Sequence, residues 1–160
     1  MRWIWIDKFV DFVSGVRATA VKNVSMAEEH LHDHFPAYPV MPASLIVEGM
    51  AQTAGILVGE ARQFKEKVIL AKVKQAKFLR EVRPGDQLKY EAAIEQVTEE
   101  AAMTTGRVSV NGEPLAEIDI VFSHIDNNMS GLVFPEENFV FTDDFKSLLQ
   151  SYNVSTSAAS

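Results

Sequence analysis

The chain has 160 residues, 47% hydrophobic and 23% charged, with a formal net charge of −7 and no cysteine. That is enough to bury one core unaided, and it leaves neither a disulfide framework nor a thiolate zinc site available. The negative balance speaks against generic nucleic-acid binding, which needs a basic footprint. No run reaches the ~18 apolar residues of a membrane span. The opening Met1-Arg2-Trp3-Ile4-Trp5-Ile6-Asp7 lacks the apolar region and small-residue cleavage pattern of a signal peptide, so a cytoplasmic protein is expected.

Taken in order, Trp3 to Phe12 is rich in aromatic and β-branched residues and predicts a strand. Ser14-Gly15 supplies a turn, and Val16 to Val24 predicts a second strand. Ser25 to Pro42 reads as a loop, with His30, His32 and His34 and prolines at 36, 39 and 42. From Ala43 to about Phe64 runs the longest helix candidate, free of proline and apolar nearly all round, which predicts burial. Pro42 suits its first turn, where a missing N–H costs nothing. Strands are then expected over Val68 to Val73, Ala76 to Leu79, Gln87 to Val97, Met103 to Val110 and Pro114 to His124. Pro84-Gly85-Asp86 marks a turn, and Asn111-Gly112 is the strongest hairpin signal, since both residues tolerate positive φ. The sum is an α+β domain over residues 1–126, with antiparallel strands curled round one helix. Residues 127–160 read as an appended extension, with a short helix near Asp143 to Tyr152 and a disordered Ser/Ala end.

Three polar residues interrupt the apolar helix, Ser44, Glu48 and Gln52, spaced i, i+4, i+8 on one face. A carboxyl on a buried helix is costly unless paired or hydrogen-bonded. Burial also favours the protonated form of a carboxyl in general, which is what a general acid requires. Ahead of the helix, His34-Phe35-Pro36-Ala37-Tyr38-Pro39-Val40-Met41-Pro42 is a stiff segment that can hold His34 in one place. Imidazole is suited to proton abstraction near neutral pH. The helix N-terminus at Ala43 and Ser44 offers unpaired N–H groups and the positive end of a dipole, able to polarise a carbonyl oxygen. Base, acid and oxyanion donors within one short stretch suit elimination of water from a 3-hydroxyacyl thioester.

The run from His34 through Pro42, followed by Leu45-Ile46-Val47-Glu48-Gly49-Met50-Ala51-Gln52, resembles the signature of the 3-hydroxyacyl-ACP dehydratases of type II fatty-acid synthesis. The agreement includes the fourteen-residue interval from His34 to Glu48 and the proline positions. It extends to Trp5-Ile6-Asp7-Lys8-Phe9-Val10, Lys22-Asn23-Val24, Ala76-Lys77-Phe78 and Val82-Arg83-Pro84-Gly85-Asp86, and covers roughly residues 3–126. The resemblance implies a hotdog fold and a homodimer or trimer of dimers, with His34 of one subunit as base and Glu48 of the other as acid. It implies Gln52 as a supporting residue, a (3R)-hydroxyacyl chain on the phosphopantetheine of acyl carrier protein as substrate, and no metal or organic cofactor. Because that carrier is acidic, the cations Lys72, Lys74, Lys77, Arg80 and Arg83 become its expected docking patch. Two positions depart from the family's pattern, Asp33 and Ala43 standing where glycines are usual. Ala43 would be strained if its position required positive φ, and Asp33 would act on His34 by its charge or point to water.

Other readings compete. On an extended segment His30, His32 and His34 would face one side, and with Glu28, Glu29 and Asp33 they suggest a metal site. Hotdog thioesterases and hydratases use similar tunnels, but the thioesterases lack the His34-to-Glu48 spacing. In the dehydratase–isomerase branch the acid is usually Asp, so Glu48 favours simple dehydration. A non-catalytic binding or structural partner of an acyl synthase remains a different class of answer. Trp3, Trp5, Phe35 and Tyr38 read as packing residues, and His124 has no evident role.

Overall fold

The computed structural model describes residues 3–125 and 134–157. Six strands form one antiparallel sheet: β1 (Lys8–Val13), β2 (Arg17–Asn23), β3 (Lys67–Phe78), β4 (Gln87–Val97), β5 (Ala101–Val110) and β6 (Glu113–Ile125), in the order β1-β2-β4-β5-β6-β3. The sheet curls round α2 (Ala43–Ala61), giving the hotdog architecture, with a single turn α1 (His30–Asp33) before it and α3 (Asp143–Ser157) after β6.

Alternation builds the wrap. Along β5 and from Ala116 to Phe122 of β6 every second side chain is buried toward the helix, among them Ala116, Ile118, Ile120 and Phe122. Met50, Ala54 and Leu57 of α2 meet them with no exposed surface. Helix and sheet approach closely because glycines stand at the contacts: a methyl added at Gly106 of β5 would lie 2.6 Å from the Met50 sulfur. Asn111 and Gly112 take φ 52° and 81°, the left-handed pair that a tight hairpin needs.

The departures from expectation have local causes. Trp3 to Asp7 does not pair as strand: Trp5 and Ile6 turn under α2, and the Trp5 N–H goes to the Gln52 side chain at 2.7 Å. The expected strands on either side of Lys74 are one strand, whose bulges at Leu70/Lys72 and Val73/Gln75 break the alternation that a sequence displays. α2 stops at Ala61, since Gln63 and Phe64 have left-handed φ of 57° and 55°. Its burial is also not uniform, because Ala43 and Ser44 are exposed and full burial begins at Ile46.

The C-terminal segment lies on the domain. Leu149 of α3 and Phe141 before it join the core, and the Tyr152 ring lies 6.5 Å from Phe12 of β1. Residues 126–133 and 158–160, including the Ser/Ala end, lie outside the described residues.

Two histidines are enclosed without belonging to the candidate site. Burial pushes the pKa of His124 down, opposed by Glu66 at 2.9 Å and reinforced by Arg62. Burial pushes His30 down too, opposed by Glu28 and reinforced by Lys22 and His34. Depressed folded values mean that, as pH falls, the unfolded chain binds these protons first. Their stabilising effect is full above the ordinary histidine value of about 6.5 and is lost as pH falls from there through the folded values. Thermal midpoints measured from pH 7.5 to 5 should therefore decline, and less steeply in His124→Asn. Equal slopes would refute the assignment.

Candidate active site

His34 follows the single turn of α1, its N–H bonded to the His30 carbonyl at 3.2 Å. The proline-studded loop closes on itself: Val40 N–H donates to the His34 carbonyl at 2.9 Å, and Phe35 and Tyr38 exchange backbone bonds of 3.1 and 2.9 Å. Met41 N–H then ties the loop to the Val82 carbonyl at 2.8 Å. The ring stacks on Phe35 with centroids 4.3 Å apart, and Nδ1 lies 2.9 Å from the Val40 carbonyl oxygen. A carbonyl can only accept, so Nδ1 carries the hydrogen. In the neutral ring Nε2 then holds the lone pair, ready to take a proton.

Glu48 is half-buried one turn into α2. Its Oε1 accepts from the Gln52 amide at 2.9 Å and from the Trp3 indole N–H at 2.9 Å. Gln52 in turn donates to the Trp3 carbonyl at 3.1 Å and accepts from Trp5 N–H at 2.7 Å. The polar stripe expected from Ser44, Glu48 and Gln52 is thus a working network at its last two members, while Ser44 stays exposed. With Oε1 doubly held, Oε2 is the oxygen free to exchange a proton, and it takes no hydrogen bond among the described residues. Trp3, read from the sequence as a packing residue, joins this network through its indole, and no local signal points to a partner so distant in the chain.

At the helix N-terminus the Pro42 carbonyl accepts from Leu45 and Ile46 at 3.0 and 3.3 Å, leaving the Ala43 and Ser44 N–H groups directed outward. Ala43 is not among the positive-φ residues, so the alanine is unstrained there. Asp33 is exposed to water. The three histidines do not share a face: α1 is helical, which turns His32 away from His30 and His34, and its Nε2 lies 2.9 Å from the Met26 carbonyl. Among the described residues no three histidines or carboxylates are placed to hold a metal ion.

Lys72, Lys74 and Lys77 are exposed on β3, at the sheet edge. Arg80 is committed to the Val110 carbonyl at 2.9 Å, and Arg83 lies over the Tyr38 ring, 3.8 Å from its centroid, beside the His34 loop. An apolar cavity of about 260 Å³ starts at Glu48 and runs along α2; His34 of the same chain is not part of its lining. Among the described residues no helix is long and apolar enough to cross a membrane.

The family described as FabA-like domain matches residues 4–119. A 3-hydroxyacyl-[acyl-carrier-protein] dehydratase FabZ of Listeria welshimeri is 38% identical over 125 residues, 78% of this chain and 87% of its own length. The enzyme of the same name from Oceanobacillus iheyensis is 39% identical over 122 residues, 76% and 87% of the two chains. Among solved structures, the dehydratase heterocomplex ApeI:P of Xenorhabdus doucetiae superposes with a TM-score of 0.63 at 15% identity, over 78% of this chain and 85% of that one. A hypothetical thioesterase protein with coenzyme A from Streptococcus pneumoniae gives 0.59 at 7%, over 74% and 84%. Such distant structures share the fold alone. With the family match spanning most of the chain, and relatives at this identity along nearly their whole length, the chain belongs to the 3-hydroxyacyl-[acyl-carrier-protein] dehydratase family.

Proposed function

We propose that this protein is a hydro-lyase that converts a (3R)-hydroxyacyl chain on acyl carrier protein to the trans-2-enoyl chain, in fatty-acid or related acyl-chain synthesis in the cytoplasm. The observation that carries the reading is the Nδ1 contact of His34 with the Val40 carbonyl, which leaves Nε2 as the acceptor. Nε2 removes the proton from C2, and the electron pair of that C–H bond forms the C2=C3 double bond. Glu48 Oε2 gives its proton to the hydroxyl on C3 as the C–O bond breaks, and water leaves. Charge building on the thioester oxygen is met by the N–H groups of Ala43 and Ser44. His34 ends protonated and Glu48 ionised, so proton exchange through solvent resets the site. Neither step calls for a metal or organic cofactor.

The working unit is a homodimer or a trimer of dimers, with His34 and Glu48 meeting across an interface. Two features support this: His34 stands apart from the cavity of its own Glu48, and β3 is a twelve-residue edge strand exposing Leu70 and Val73. An open edge of that length leaves a row of backbone N–H and C=O groups for a second strand to pair with. Lys72, Lys74, Lys77, Arg80 and Arg83 would receive the acidic carrier, Arg83 nearest the His34 loop.

The test is release of water from 3-hydroxybutyryl- and 3-hydroxydecanoyl-carrier thioesters, followed by enoyl absorbance. Turnover supports the reading. A well-folded oligomer inert on every chain would overturn it and leave a binding or structural partner of an acyl synthase. Within the site, Trp3→Phe removes one of two donors to Glu48 Oε1 while Gln52 still holds it. Trp3 is about half exposed, so the loss is modest: kcat should fall by roughly three- to tenfold, with KM little changed. A rate equal to wild type would show that Gln52 alone positions the carboxyl.

A further inference from the structure

The cavity beside Glu48 has one wall that the family match does not provide. Its inner lining comes from α2, including Gly55, and from β3 and β6, with Trp3 beside Glu48; the remaining wall is Val140, Phe141 and Phe145. Those three residues lie beyond the matched stretch of residues 4–119.

The segment carrying them is anchored. The Asn138 amide donates to the Phe64 and Glu66 carbonyls at 3.1 and 3.2 Å, and its oxygen accepts from the Val140 and Phe141 N–H groups, each at 3.1 Å. One side chain therefore pins the segment to the connection between α2 and β3. Phe141 follows immediately, 4% exposed, with its ring against Gly59 so closely that a methyl there would lie 2.3 Å from it. Its other neighbour is the Phe64 ring, edge-on at 5.0 Å. Val140 and Phe145, on either side of Phe141, are half-buried and line the cavity, Val140 joining the clamp only through its backbone N–H.

We propose that this C-terminal segment is the far wall of the acyl pocket, and that Val140 and Phe145 set the longest acyl chain the enzyme accepts. The inference rests on the dehydratase reading for the identity of the occupant, an aliphatic chain whose thioester end lies at Glu48. An apolar cavity with a carboxyl at one end and no ionisable group at the other suits such a chain. Each methylene brought out of water adds to binding, so a wall that stops the chain discriminates by length. Gly55 keeps the pocket open on the helix side. A methyl there would meet only Phe122, at an ordinary 3.5 Å, so it would occupy pocket volume without disturbing the fold.

The experiment compares wild type with Phe145→Ala, the milder Val140→Ala, and Gly55→Ala as the opposite change. Two readouts are taken: kcat/KM on 3-hydroxybutyryl-, 3-hydroxydecanoyl- and 3-hydroxyhexadecanoyl-carrier, and calorimetric binding of the saturated acyl-carriers, which cannot lose water. The first two variants should raise the ratio of longest to shortest substrate by about tenfold, and Gly55→Ala should lower it. Turnover with unchanged ratios in folded variants overturns the wall while dehydration stands. An inert wild type whose affinity for the hexadecanoyl carrier still rises in Phe145→Ala keeps the wall and removes the reaction. Affinities that ignore all three substitutions overturn the proposal, as they would if a side chain of a second copy filled the cavity.

Discussion

His34→Ala and Glu48→Gln should each lower turnover of 3-hydroxyacyl-carrier by ~10²–10⁴, the contribution of a positioned proton-transfer group. Both changes spare the fold for identifiable reasons. His34 is half-buried in a loop that backbone bonds from Val40, Phe35 and Tyr38 close without its ring. In Glu48→Gln the new amide oxygen can still accept from Trp3 and Gln52, so geometry is kept and only the exchangeable proton is lost. Thermal midpoints near wild type, with collapsed rates, would therefore assign the loss to chemistry. Mixing the two inactive chains separates a site within one subunit from a site shared between two. If His34 and Glu48 meet across a dimer, a mixed dimer holds one intact site and one doubly defective site. Random pairing would then restore roughly a quarter of wild-type activity. No recovery after subunit exchange would place both residues in one chain. Full activity in either single variant would remove that residue from the mechanism.

Much of this arrangement was legible in the sequence because its signals are local. The β4 boundaries, the Asn111-Gly112 hairpin and the start of α2 after Pro42 each rest on a few neighbouring residues whose propensities agree with the fold. The stripe of Glu48 and Gln52 was visible for the same reason, since helical spacing alone puts them on one face. What escaped depends on partners distant in the chain. Trp3 looked like packing until the fold brought its indole to Glu48, forty-five residues away. β3 looked like two strands because bulges shift its alternation against β6. The extension after residue 126 looked like an appendage because Asn138 and Phe141 find their partners in the α2–β3 connection and at Gly59. The histidine trio invited a metal site only while the segment was imagined as extended.

The residue after Glu48 shows how the site and the core constrain each other, and Gly49→Ala should damage both. A β-carbon at Gly49 would lie 2.5 Å from Cζ and Oη of Tyr90 and 3.1 Å from the Trp5 carbonyl oxygen. Neither neighbour yields cheaply. Tyr90 is wholly buried in β4, its pKa pushed up by burial so that it stays a neutral phenol, and Trp5 is held by its backbone bond to Gln52. Against the clash stands the usual gain of about 0.5–1 kcal/mol for alanine over glycine inside a helix. Overpacking costs about 1–3 kcal/mol, so the clash wins. For a domain this size each kcal/mol lowers Tm by about 2–4 °C. Gly55→Ala, on the same helix but with an ordinary 3.5 Å neighbour, should instead hold or raise Tm, which separates crowding from helix propensity. Relief of the Gly49 clash also requires α2 to move away from Tyr90, and that displaces Glu48 and Gln52 from Trp3 and Trp5. Turnover should therefore fall even at temperatures where Gly49→Ala is fully folded. Replacing Tyr90 by Leu in the same chain should recover part of both losses, a coupling expected only of residues in contact. Additive effects of the two substitutions would show that Gly49 is spared for some reason other than the Tyr90 ring.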